Sequence, residues 1–170
     1  MKFGTRWIYA VLVLTLLVWS CSKDKKTTNP EDTTPSAGAT LGEDEISFGS
    51  VGAVYIGAAQ SLGLAFAQTQ SGGYPLAAIA VTSINTVQVG VPVECGALTL
   101  NVIDSTDVYA CGATADSALA VADITFSRLE LTSGGLVSGS LSGMAEHLNH
   151  PAEPLVPLEL EFANIPVVVY

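Results

Sequence analysis

Leu158-Glu159-Leu160-Glu161-Phe162 alternates apolar and acidic side chains without a break, and Ile165-Pro166-Val167-Val168-Val169 follows across Asn164. A period of two sends successive side chains to opposite faces of an extended chain. Leu158, Leu160 and Phe162 are therefore expected in a core, with Glu159 and Glu161 in water. The same pattern recurs upstream. Leu98-Thr99-Leu100-Asn101-Val102 alternates, and Leu62, Leu64 and Phe66 alternate with Gly63, Ala65 and Ala67. Ile124-Thr125-Phe126 and Leu129-Glu130-Leu131 are out of phase by one residue, which predicts a bulge near Ser127-Arg128. Ser133-Gly134-Gly135 predicts a turn between Leu131 and Leu136. Residues 46–50, 53–57, 79–91 and 108–113 are further candidate strands. Together these predict an all-β fold, an antiparallel β-sandwich of roughly nine short strands, with a β-barrel as the alternative.

Composition bounds the class. The chain has 170 residues, 49% apolar and 13% charged, enough for one folded domain and too apolar for disorder. Its net charge is −10, which excludes the basic footprint that nucleic acid requires. The charge is unevenly placed. From Leu41 to Tyr170 thirteen carboxylates face a single base, Arg128, leaving −12 and no lysine at all. Such a surface repels phosphates and anionic lipids.

The basic residues gather at the other end. Lys2 and Arg6 precede Trp7–Trp19, an uncharged run of 13 residues. That is short for a membrane-spanning helix and suits the apolar core of a signal peptide, here residues 1–20. The run ends in Val18-Trp19-Ser20-Cys21, which resembles the lipobox of bacterial lipoproteins, with Trp19 bulkier than the family favours. The resemblance implies that Cys21 is acylated and becomes the mature N-terminus. Two or three acyl chains suffice for stable anchoring. The membrane, reached through the lipid on Cys21, is then the expected partner. Lys23, Lys25 and Lys26 would lie at its headgroups. Ser22 stands where an inner-membrane retention signal often carries Asp, so the expected location is the cell envelope, at the outer rather than the inner membrane. Residues 22–40 contain no large apolar side chain and are expected, with Cys21, to form a flexible tether at 21–40, leaving 41–170 as the β-domain.

A second resemblance reaches into the domain. Ile124-Thr-Phe-Ser-Arg-Leu-Glu-Leu, Gly135-Leu-Val-Ser-Gly-Ser-Leu-Ser-Gly and the closing Ile165-Pro-Val-Val-Val-Tyr170 resemble the C-terminal half of uncharacterised secreted bacterial lipoproteins. Ser140 and Leu141 stand where that family has Thr and Phe, and the glycine of its last segment is missing. The resemblance implies a β-sandwich and carries no activity.

Chemistry-bearing residues are few. With Cys21 lipidated, Cys95 and Cys111 remain, each followed by glycine and separated by 15 residues. In an exported protein such a pair is expected to form a structural disulfide, worth ~3 kcal/mol by loop entropy. Redox catalysis would want Cys-x-x-Cys, which is absent. His147 and His150 are the only histidines, and with Glu146 and Glu153 they compose a candidate Zn²⁺ or Cu²⁺ set. The order is Glu-His-x-x-His rather than the zinc-peptidase His-Glu-x-x-His, and Pro151 opposes a helix there. A plain inter-strand loop is the competing expectation. Asp104 and Asp107 lack the spacing of a calcium loop and are expected in a turn. Gly139-Ser140-Leu141-Ser142-Gly143 has leucine where a nucleophile elbow needs serine. No cofactor motif occurs. The expectation is a lipid-anchored, non-catalytic binding or structural module. A small-ligand or metal carrier using residues 147–153 is the alternative, and a glycan-acting enzyme with an acid pair is a further one.

Overall fold

The computed structural model describes residues 34–69, 73–103 and 106–170. Among these, eleven strands form an all-β fold without α-helices: β1 (Ser36–Leu41), β2 (Asp44–Phe48), β3 (Ser50–Ile56), β4 (Ser61–Ala67), β5 (Leu76–Val81), β6 (Val93–Glu94), β7 (Ala97–Asn101), β8 (Val108–Gly112), β9 (Ala122–Leu129), β10 (Leu136–His147) and β11 (Val156–Val169). The signal segment 1–20 and Cys21 lie outside the described residues.

The long hairpin of β10 and β11 organises everything else. One layer runs β2-β1-β11-β10-β9-β6. The other runs from the end of β11 through β3, β4, β5, β7 and β8 to the end of β10. Because β10 and β11 also pair with each other, the second run closes into a ring. The expected sandwich and the expected barrel are thus both present: two layers, joined by two strands that belong to each.

A bulge lets β11 serve two layers. In β11, Leu158, Leu160 and Phe162 are buried, then Ile165 and Val167, so the buried parity changes once. An extra residue must be absorbed, and Asn164 takes it with φ 55°. Asparagine is among the few non-glycine residues that visit this region readily. Its N–H donates to Ser138 Oγ at 2.9 Å. The residues on either side of Asn164 are therefore one bulged strand. The expected bulge in β9 is also found: Arg128 faces Ser138 and Phe126 faces Gly139, leaving Ser127 unpaired.

The core joins the layers through aromatics. Phe66 of the second layer lies with its ring 5.5 Å from Phe48 and 6.2 Å from Phe162 of the first, and Phe126 meets Phe162 at 6.0 Å. Phe162 pairs with Gly139 across the hairpin. A Cβ at Gly139 would stand 2.9 Å from the Phe162 ring, so glycine there makes room for the aromatic. Gly143 sits against the backbone of Val121 and Ala122, with no room for a Cβ. The Gly-Ser-Leu-Ser-Gly run is a strand whose two glycines admit close neighbours.

Three expectations are corrected. The described strands number eleven rather than nine, since β1 and the short β6 were not anticipated. The pairing is not wholly antiparallel, because Val167–Val169 run parallel to Ala53–Tyr55. The tether does not extend to residue 40: β1 begins at Ser36 and pairs on both sides, with β11 and β2. Its side chains are small, and its place rests on backbone hydrogen bonds and on Ala39 and Leu41, both buried. Beyond β9, the Glu130 carboxylate accepts the Leu136 N–H at 3.0 Å and pairs with Arg128, which holds its carboxyl below the usual range.

Gly143→Val should lower the unfolding free energy by ~1–3 kcal/mol or more, because an inserted side chain meets backbone that cannot yield. The exposed neighbour Ser142→Val should change it by no more than about 0.5 kcal/mol. Urea unfolding of the two variants measures the difference.

Candidate functional site

Three places in the fold bring together polar or reactive side chains. The first is the outer face of the β2-β1-β11-β10-β9 layer. Pairing aligns Thr125, Ser140, Glu161, Gly38 and Ser47 in one row across five strands. The next row holds Asp123, Ser142, Glu159, Thr40 and Glu45. This face forms an open groove of about 690 Å³, with Gly38, Gly139 and Ser140 in its floor and Glu45, Glu159 and Glu161 along it. Small side chains leave the strand backbones close to anything lying in the groove. The carboxylates accept hydrogen bonds and attract cations, and among the described residues no basic side chain lines it. The alternation Leu158–Phe162 announces Glu159 and Glu161, but Glu45 and Gly38 join them only through the unanticipated strand β1.

The second place is the end of the sandwich where β10 pairs with β8. Glu146 faces Ala110 and His147 faces Tyr109. As strand neighbours they point to opposite faces. Glu146 is buried, and its Oε2 accepts the backbone N–H of Asp116 at 2.7 Å and of Ser117 at 2.8 Å. It tethers the loop after β8. His147 turns the other way, toward the ring of Tyr109 at 4.7 Å and of His150 at 4.6 Å. Its Nε2 lies 3.3 Å from Asp107 Oδ1. Burial, followed by the charges of Asp107, Glu153 and Asp44, pushes the Tyr109 hydroxyl above the ordinary phenol range. His150 Nδ1 lies 3.9 Å from Glu153 Oε1, both exposed. The anticipated four-residue metal set is therefore not one site, because alternation sends Glu146 to the far face. Among the described residues, no three His, Cys, Asp or Glu side chains are grouped to hold a metal ion. Asp107, expected as a turn acid, stands just before β8 and against His147; nothing in local spacing announces this.

The third place is interior. Cys95 and Cys111 are both buried and both free, so the expected disulfide is not formed in this structure. They are nevertheless neighbours. The Cys95 thiol donates to the Ala97 carbonyl at 3.5 Å, and the neighbouring Cys111 thiol, followed by burial, pushes Cys95 above the ordinary thiol range. The same proximity to Cys95 draws Cys111 down. The following glycines permit the approach: Ala113 N–H donates to Gly96 O at 2.9 Å, and a Cβ on Gly112 (φ 65°) would stand 2.7 Å from Cys95 O.

Among the described residues no helix is long and apolar enough to cross a membrane. Comparison of the chain with protein-family models, with curated proteins and with solved structures finds no match.

Glu146→Ala should destabilise the fold by about 2 kcal/mol or more, since it strands two backbone N–H groups that had a charged acceptor. Glu146→Gln keeps an acceptor oxygen and should lose about half as much. Chemical denaturation at neutral pH measures both.

Proposed function

We propose that this chain is a lipid-anchored protein of the bacterial cell envelope, with a β-domain that acts as a non-catalytic binding or structural module. The observation that carries the reading is Val18-Trp19-Ser20-Cys21 at the end of an uncharged run behind two bases. Acyl chains on Cys21 hold the protein at the membrane, and Ser22 favours the outer one. The segment before β1 then spaces the domain from the headgroups, which its acidic surface repels. The groove across the first layer supports the binding half of the reading. Its carboxylates and small hydroxyl side chains suit a neutral or cationic polar ligand and disfavour an anionic one.

In an oxidising envelope the two interior thiols complete the reading. By thiol–disulfide exchange, Cys95 and Cys111 pass two protons and two electrons to a donor disulfide of the compartment, which leaves as two thiols, and join as a disulfide. The two contacting thiols and the glycines beside them support this. The bridge ties the segment before β7 to β8 and adds ~3 kcal/mol by the loop-entropy account.

One fractionation tests the proposal. Full-length protein from bacterial membranes should enter the detergent phase and, denatured without reductant, should offer no thiol to a labelling reagent. Cys21→Ala should move to the aqueous phase. Retention of that variant in the detergent phase would overturn the anchor, and two labelled thiols in the wild type would overturn the bridge.

A further inference from the structure

The lysines of this chain stand apart from most of its carboxylates. Beyond the signal segment they are Lys23, Lys25 and Lys26, and 41–170 has none. With Asp24 between them, three positive charges less one negative leave +2 within four positions. The groove across β2, β1, β11, β10 and β9 is their complement. Glu45, Glu159 and Glu161 line it, and among the described residues no basic side chain does. All three carboxylates are exposed, and pairing puts them on one face, with Thr40 between Glu159 and Glu45. Gly38 and Gly139 keep the floor low. The aliphatic stem of a lysine can lie along such a floor while its ammonium donates to a carboxylate.

Position and length join the two. Ser36, the first residue of β1, itself lines the groove, so the chain leading toward the lysines departs from the groove's own wall. Lys26 precedes Ser36 by ten positions. Ten residues reach ~33 Å when extended, and their rms span as a flexible chain is ~17 Å. Five strands spaced ~4.8 Å apart are about 19 Å across. The lysines can therefore meet any carboxylate of the groove. Residues 22–33 hold no large apolar side chain, and Glu31 and Asp32 would be repelled by the groove acids, so the lysines are what the segment offers.

We propose that the segment bearing Lys23, Lys25 and Lys26 folds back over the β2-β1-β11-β10-β9 face and occupies the groove, as an internal cationic occupant that an external cationic ligand must displace. The inference rests on the reading of the groove as a binding surface and is independent of the membrane anchor. A segment on so short a connection competes at a local concentration on the order of millimolar. In this arrangement the three lysines meet carboxylates of their own chain in place of lipid headgroups.

Two measurements on the full-length protein in nonionic detergent test it. A carbodiimide joins an amine to a carboxylate in contact with it and adds no spacer. Peptide mapping of the monomer should find Lys23, Lys25 or Lys26 joined to Glu45, Glu159 or Glu161. The yield should collapse in about 1 M salt, where the screening length is ~3 Å. Pentalysine is the external probe. Replacing the three lysines by Gln empties the groove and should tighten pentalysine binding roughly tenfold, as expected when a millimolar internal competitor is removed. Glu159→Gln with Glu161→Gln, both on the exposed face, should weaken pentalysine binding to that emptied form at least tenfold without shifting the melting curve. Cross-links as frequent to the distant acids Asp116 and Glu153 as to the groove acids would overturn the inference, and so would equal pentalysine affinity with and without the lysines. Binding of pentalysine to neither form would overturn the groove reading as well.

Discussion

The hydrogen-bonded seam between β10 and β11 is the constraint on which the rest of the structure depends. These strands are 12 and 14 residues long, and each pairs with strands of both layers. Ordinary strands would be too short to do so. The seam closes the ring on one side and carries the outlying pairs β1–β2 and β9–β6 on the other. A strand in two layers must change which of its faces is buried, and the Asn164 bulge accomplishes that in β11. Phe162, just before it, sits where the layers meet and contacts Phe66 and Phe126. Seam, bulge and aromatic cluster are one arrangement: each fixes the register that the others need.

Polar chemistry is distributed by this arrangement. Residues whose side chains alternate away from the core along β9, β10, β11, β1 and β2 become the acidic, hydroxyl-rich groove. At the far end of β10 the same alternation separates Glu146 from His147. One carboxylate goes to the outer side, where it holds the loop after β8. The imidazole goes to the inner side, among Tyr109, Asp107 and His150. The almost complete lack of bases over 41–170 leaves the groove acids without cationic neighbours among the described residues, while Arg128 is taken up by Glu130.

Much of this was legible in the chain, and what was not has physical reasons. Strict alternation at Leu158–Phe162 gave both the buried face and the exposed acids, and the phase slip between Phe126 and Leu129 gave the bulge at Ser127. β1 escaped because Ser36 to Thr40 carry no large apolar group; a strand held between two others by its backbone needs none. β2 and β3 were read apart, at 46–50 and 53–57, and lie at 44–48 and 50–56, with the single residue Gly49 between them as they enter different layers. Residues 79–91 looked like one strand because Val81, Ile84 and Val87 are apolar. Ile84 is nevertheless buried from a 3-10 turn, not from a strand. For the sites, the glycines after Cys95 and Cys111 signalled close backbones. The pairing of His147 with Asp107 spans 40 residues and depends on topology alone.

Native-state hydrogen exchange measures the dependence on the seam most directly. If β10 and β11 hold both layers, the amides of Leu141 and Leu160 in the seam and of Leu64 and Ile79 in the second layer exchange only through global unfolding. All four should then show the same opening free energy and the same denaturant slope. Opening of Leu64 and Ile79 at a distinctly lower free energy, with Leu141 and Leu160 still protected, would mean that the second layer comes apart on its own, and the seam would not be what holds the two together.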